Sequence, residues 1–188
     1  MRKLILIKHA KPQVEDDVPS SEWELSREGR ESCKALARVL AKHEPRVIFT
    51  SDEPKAIETG SVVAEALGIT TRMADGLHEH DRTNVPMMQS REFISTMALF
   101  FKDRRRLVLG KETAEAALDR FELAVGRVLA EEPEGNIAVV THGTVLALFA
   151  EAHGAGDGFG LWRKMGLPSL AVVTVPGLNV AEIVERLV

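Results

Sequence analysis

The chain has 188 residues, 45% hydrophobic and 28% charged, proportions that suit one globular domain able to bury a substantial core. A formal net charge of −4 offers no general attraction to nucleic acid or to an anionic membrane, so affinity for an anion must come from a local pocket. The single cysteine excludes an internal disulfide and a cysteine metal cluster, and no apolar run is long enough to span a membrane or serve as a signal peptide. A cytoplasmic protein with no nucleic-acid or membrane partner is expected.

Leu4-Ile5-Leu6-Ile7 is an unbroken apolar run, the pattern of a central strand covered on both faces, and it ends in Lys8, His9 and Ala10. Ligands of open α/β sheets bind beyond the carboxyl ends of such strands. Taken alone, His9 reads equally well as an ordinary strand-end histidine. Residues 12–19 are polar and acidic, a loop at the same edge. Ser26 is placed to cap a helix whose inward stripe is Leu25, Cys33, Leu36, Ala37, Leu40 and Ala41, with Cys33 in the core and Pro45 as the stop. Val47-Ile48-Phe49 is a second short buried strand. Thr50-Ser51-Asp52-Glu53-Pro54 then opens a helix that runs to about Leu67 and closes at Gly68. Lys55 falls in its first turn, where the helix dipole disfavours a cation; pairing with Asp52 and Glu53 would compensate, and so would a bound phosphate.

Residues 70–73 form a weaker strand ahead of Gly76-Leu77-His78-Glu79-His80-Asp81-Arg82. This cluster admits a solvated loop, a metal site, or a carboxylic acid held beside a leaving group. The aspartate falls too soon for a binuclear hydrolase and no helical His-Glu-x-x-His is present, so no metal is assigned. Met87, Met88, Phe93, Ile94, Met97, Phe100 and Phe101 make residues 86–102 amphipathic, a helix over the sheet edge or the pocket. It belongs to a helical insertion at about 80–112 within a single domain, 1–188. Arg104-Arg105-Arg106 reads as a solvated run or as one facing an anionic substrate. Residues 113–131 form a helix with Ala117, Phe121, Ala124, Val125 and Val128 inward. Ile137-Ala138-Val139-Val140-Thr141 is another buried strand, and it too ends in a histidine, His142. Gly143 follows, and its missing side chain would let a ligand reach the amides opening the next helix. Two buried strands ending in histidine at one edge are hard to credit to packing. Residues 154–160 are glycine-rich but lack the lysine and hydroxyl of a P-loop, so a flexible loop is expected there. Strands at 170–175 and 180–188 complete the sheet, the last as an edge strand, and Trp23 and Trp162 are assigned to the core.

In this order the motifs resemble the histidine phosphatase superfamily, the phosphoglycerate mutase-like proteins, along almost the whole chain. Ile7-Lys8-His9-Ala10 stands at the family's Arg-His-Gly, and Thr50-Ser51-Asp52-Glu53-Pro54-Lys55-Ala56-Ile57-Glu58-Thr59 is similar to its Thr-Ser-x-x-x-Arg-Ala-x-x-Thr. Leu77-His78-Glu79 resembles the segment carrying the proton donor, and Val139-Val140-Thr141-His142-Gly143 the strand of the second histidine. Gly110-Lys111-Glu112-Thr113 with Arg120 is similar to a further family segment. Both motif arginines are lysines here, Lys8 and Lys55, which keeps the charge but loses the planar fork that grips two phosphate oxygens.

The resemblance implies an α/β fold, a three-layer sandwich with a mostly parallel central sheet and helices on both faces. It implies a phosphomonoester hydrolase without cofactor or metal, acting on a small phosphorylated metabolite or phosphorylated side chain, and no particular oligomeric state. His9 would be transiently phosphorylated, and Lys8, Lys55, His142 and Gly143 would hold the phosphoryl group. Glu79, with a pKa raised toward neutrality by burial or by the nearby phosphate, would protonate the leaving alcohol, His78 and His80 being alternative donors. A mutase-type phosphotransferase, a weakly active or inactive phosphate-binding regulator, and a structural domain with incidental histidines are the competing readings.

Overall fold

The computed structural model describes residues 1–187; Val188, the last residue of the expected final strand, lies outside them. Strands β1 (Arg2–Lys8), β2 (Pro45–Thr50), β3 (Thr70–Met73), β4 (Asn136–Thr141), β5 (Ser169–Val175) and β6 (Asn179–Val184) form one sheet in the order β3-β2-β4-β1-β5-β6. The pairs among β1, β2, β3 and β4 are parallel, whereas β5 runs antiparallel to both β1 and β6. The helices are α1 (Arg27–Ala41), α2 (Pro54–Leu67), α3 (Ser90–Lys102), α4 (Ala114–Glu131), α5 (Gly143–Ala152) and α6 (Gly158–Lys164).

Alternation along a strand sends successive side chains to opposite faces, and two separate cores result. Leu4, Leu6, Ile137 and Val139 pack with Phe100, Phe121 and Phe149 from α3, α4 and α5. Ile5, Ile7, Ala138 and Val140 pack with Cys33, Leu36 and Val63 from α1 and α2. All eight strand residues are fully buried, which is why their runs contain no polar position. Each leucine or isoleucine so buried contributes roughly 1.5–3 kcal/mol.

Local signals set the helix ends. Ser26 Oγ accepts from Gly29 N at 3.0 Å, Thr113 Oγ1 accepts from Ala116 N at 3.1 Å, and Gly68 closes α2 in the left-handed region at φ 67°. The glycine-rich stretch departs from expectation: α6 forms there because Phe159 and Trp162 pack against Phe101, and Trp162 also meets Phe93. Aromatic burial outweighs the poor helix propensity of Gly158 and Gly160. Arg104 pairs with Glu151 and Arg105 with Glu115, so the basic run is tied down away from the cavity. No helix among the described residues is long and apolar enough to cross a membrane.

The arrangement fixes where a ligand can sit. Adjacent strands β1 and β4 run parallel, yet β1 leads to α1 on one face while β4 leads to α5 on the other. Their chains part at the carboxyl edge and leave a crevice between them.

Candidate active site

In the β1–β4 ladder Lys8 lies opposite Thr141, and His9 N donates to Thr141 O at 3.0 Å. The next residue on each strand is therefore a neighbour of the other: the rings of His9 and His142 stand 5.1 Å apart, inclined at 58°. Strand β2 flanks β4 on its other side, and Ser51 N donates to Val140 O at 3.0 Å. That places Ser51 Oγ 2.7 Å from His142 Nε2.

His9 Nδ1 lies 2.7 Å from the carbonyl of Ala10, which can only accept, so Nδ1 carries the ring proton and Nε2 keeps its lone pair. Burial, then His142 and Lys55, hold the pKa of His9 well below the usual histidine value, so the ring is neutral. His142 is fully buried, and burial likewise drives its pKa well down against the opposing charge of Glu79. Its Nε2 faces the Ser51 hydroxyl and, at 3.3 Å, a Glu53 carboxylate oxygen. Its Nδ1 is buried without a hydrogen-bond partner among the described residues, a deficit of about 1–3 kcal/mol.

The two lysines reach the same space differently. Lys8 lies across Gly143, where an added Cβ would come within 3.1 Å of Cε and 3.4 Å of Nζ. The absent side chain thus makes room for the lysine stem. Lys8 Nζ donates to Met165 O at 3.0 Å. Burial lowers the pKa of Lys8, Glu79 opposes that, and Arg82 adds to the lowering. Lys55 Nζ donates to Ser20 O and forms a buried ion pair with Glu53. Of the two expected acidic partners Glu53 therefore compensates Lys55, while Asp52 is exposed.

Glu79 sits on a clamped loop. Arg120 donates to Gly76 O at 2.8 Å, His78 O at 2.9 Å and Glu79 O at 3.2 Å, and Thr141 Oγ1 donates to Leu77 O at 2.7 Å. The Glu79 carboxylate accepts from Thr144 N at 3.0 Å and Val145 N at 3.3 Å, at the positive end of α5, and from His80 N at 2.9 Å. Burial pushes its pKa up, but Arg82, His142 and the amides of Thr144 and His80 together outweigh burial and hold the carboxyl well below its usual range. Without ligand, then, Glu79 is ionised; of the two expected causes of a raised pKa, burial is outweighed here, and a phosphoryl dianion beside the carboxyl would push the value up. His80 is buried, its Nε2 3.1 Å from Glu112 O and its ring 4.4 Å from that of Phe100. His78 lines a smaller adjoining cavity with Asp52 and Asp81.

Lys8, His9, Lys55, Glu79, His142 and Gly143 all line one cavity of about 490 Å³. Trp23 and Trp162, expected in the core, are half-buried on its outer wall. Three residues join the set that sequence reasoning left without a site role: Ser51, Glu53 and Arg82. The available signal for Arg82 was its place three residues after Glu79 in the same short loop. Its Nη2 lies 3.7 Å from Glu79 Oε2 and its Nη1 3.4 Å from Thr144 Oγ1. With both histidines neutral, Lys8, Lys55, Arg82 and Arg163 against Glu53 and Glu79 leave the cavity positive by two charges (4 − 2). Among the described residues, no three His, Cys, Asp or Glu side chains converge as metal ligands would.

No curated protein matches the chain in sequence. Solved structures share its fold. Mycobacterial glucosyl-3-phosphoglycerate phosphatase superposes with a TM-score of 0.78 at 19% identity, covering 98% of this chain and 99% of its own. Bacillus stearothermophilus YhfR gives 0.77 at 22% identity over 98% and 96%. A phosphoserine phosphatase mutant from Entamoeba histolytica, in complex with phosphoserine, gives 0.74 at 14% over 97% and 96%. The family model described as histidine phosphatase superfamily (branch 1) matches residues 4–179, a span holding both strand-end histidines and the clamped loop, and the chain belongs to that superfamily.

Proposed function

We propose that this protein hydrolyses phosphomonoesters through a phosphohistidine at His9. The observation that carries the reading is the state of that ring: neutral, with Nδ1–H fixed on the Ala10 carbonyl and Nε2 left as a lone pair beside His142. His9 Nε2 attacks phosphorus, the ester P–O bond breaks, and the leaving oxygen takes a proton from Glu79. Water then attacks the phosphohistidine, Glu79 accepts a proton from it, and the P–N bond breaks to release phosphate. Lys8, Lys55 and His142 meet the charge on the phosphoryl oxygens, so that positioning and electrostatics supply most of the acceleration. Membership of the superfamily and the phosphatases among the structural neighbours support this chemistry. A cavity of about 490 Å³, walled outside the cup by Trp23, Ile94, Trp162 and Leu167, suits a small phosphorylated metabolite or phosphorylated side chain.

Hydrolysis of p-nitrophenyl phosphate tests the reading, together with trapping of an acid-labile phosphoenzyme. His9→Ala is expected to abolish the phosphoenzyme and lower kcat by at least about 10³-fold. Undiminished turnover in that variant would remove His9 from the mechanism. A second reading, a phosphate-binding regulator, draws on the buried Glu53–Lys55 pair, which engages one of the two motif lysines before any substrate arrives. Phosphate binding without hydrolysis of aryl or alkyl esters would favour it.

A further inference from the structure

The two lysines leave the cup short of planar, two-pronged donors, and the donors they have are partly committed. Lys8 is engaged by Met165 O, and Lys55 by Ser20 O and Glu53. Arg82 differs. Its contacts, 3.4 Å to Thr144 Oγ1 and 3.7 Å to Glu79 Oε2, are longer than the roughly 2.7–2.9 Å of a committed charge-assisted bond. Arg120 shows what commitment looks like in the same region, with Nη2 2.5 Å and Nε 3.2 Å from the two oxygens of Glu112. Nor does Glu79 depend on Arg82 for donors, since the amides of Thr144, Val145 and His80 already serve its carboxylate.

Arg82 is also held where a ligand would find it. It lines the cavity beside Lys8, His9 and His142, its side chain 22% exposed, with the guanidinium 5.3 Å from the centroid of the Phe93 ring. That ring backs the cation without using its in-plane donors. The loop is pinned on either side, Asp81 N donating to Glu112 Oε1 at 3.0 Å and Val85 N to Arg82 O at 2.9 Å. Arg163, the other arginine of the cavity wall, is exposed to solvent.

We propose that Arg82 is a phosphoryl-binding residue, whose guanidinium turns from Glu79 to grip two oxygens of the bound phosphoryl group with the fork that Lys8 and Lys55 lack. The inference rests on the phosphomonoester reading of the site. It also explains how one loop carries both a cation and a proton donor: once Arg82 turns to the phosphoryl group, Glu79 loses its nearest counter-charge and faces a new anion, so it can take up the proton it must deliver.

Orthovanadate and inorganic phosphate affinities, read from the fluorescence of Trp23 and Trp162, test this apart from turnover. Arg82→Ala is expected to weaken vanadate binding at least 30-fold, and Arg82→Lys at least 10-fold because charge without the fork is insufficient. Arg82→Gln serves as a second neutral variant should the alanine protein not fold, and thermal melting identifies the folded proteins. Affinity of a folded Arg82→Lys within twofold of the parent overturns the proposal. If the parent binds vanadate in an Arg82-dependent way but hydrolyses nothing, the hydrolase reading falls and Arg82 keeps its role. If the parent binds neither anion, both fall.

Discussion

At Glu79 two effects oppose each other, and their balance decides when the carboxyl can hold a proton. Burial favours the neutral acid, while Arg82 and the amides opening α5 favour the anion and prevail in the unliganded protein. A general acid that starts ionised must gain its proton as the phosphoryl group binds, so its contribution should depend on how badly the leaving group needs protonation. Glu79→Gln keeps the shape and removes the exchangeable proton. The expected loss in kcat/KM is about 10²–10⁴-fold for an alkyl phosphate and much smaller for p-nitrophenyl phosphate, whose leaving group departs as a stable anion. The two esters measured side by side decide it, since equal losses would mean that Glu79 only braces α5. Residue identity made His9 and His142 visible as candidates, because each ends an unbroken apolar run. The sign of the shift at Glu79 was not legible, since it depends on a through-space neighbour and on amides 65 and 66 positions away.

The element that ties the site together is the junction of β4 and α5, where His142 caps the helix and Gly143 begins it. Glycine is a poor helix former, but here its bareness accommodates Lys8, whose Cε would lie 3.1 Å from an added Cβ. A flexible lysine can retreat by a few tenths of an ångström, so Gly143→Ala should leave the fold intact. Thermal stability is expected to stay level or rise slightly, while phosphate affinity and kcat/KM fall by roughly three- to thirtyfold as Lys8 is displaced. Melting and phosphate titration of the one variant check both halves, and unchanged affinity would show that the position of Lys8 is not set by this contact. Elements with their own local signal were legible: β1 and β4 as apolar runs, α1 by the Ser26 cap, α2 by Pro54 and Gly68. Helix α6 was not, because it is made by packing against α3, and propensity at Gly158 and Gly160 argues the other way.

Across the molecule, the site's chemistry carries a stability consequence, because His9, His80 and His142 are all buried and all have lowered pKa values. Burial is the leading cause in each, joined at His9 by His142 and Lys55, and at His80 by Arg82. In the unfolded chain these side chains bind protons near their ordinary value of about 6.5, whereas in the folded protein they stay neutral to lower pH. Below about pH 6.5 the unfolded state therefore holds more protons, and stability falls as pH drops toward the lowered native values. Each histidine contributes a slope of up to about 1.4 kcal/mol per pH unit, so the three together approach 4, a large part of the 5–15 kcal/mol typical of a domain. The depressed carboxyl of Glu79 acts in the same direction, its loss beginning near the ordinary glutamate value of about 4.3. Urea unfolding at pH 7.5 and pH 5.5 should thus show a clear drop in midpoint in acid. His142→Asn, which removes one of these groups and its contribution to the lowering at His9, should flatten that dependence even if it lowers stability at both pH values. Equal midpoints for the parent at the two pH values would mean that these rings take up protons in the folded state as readily as in water, and the neutral nucleophile at His9 would go with them.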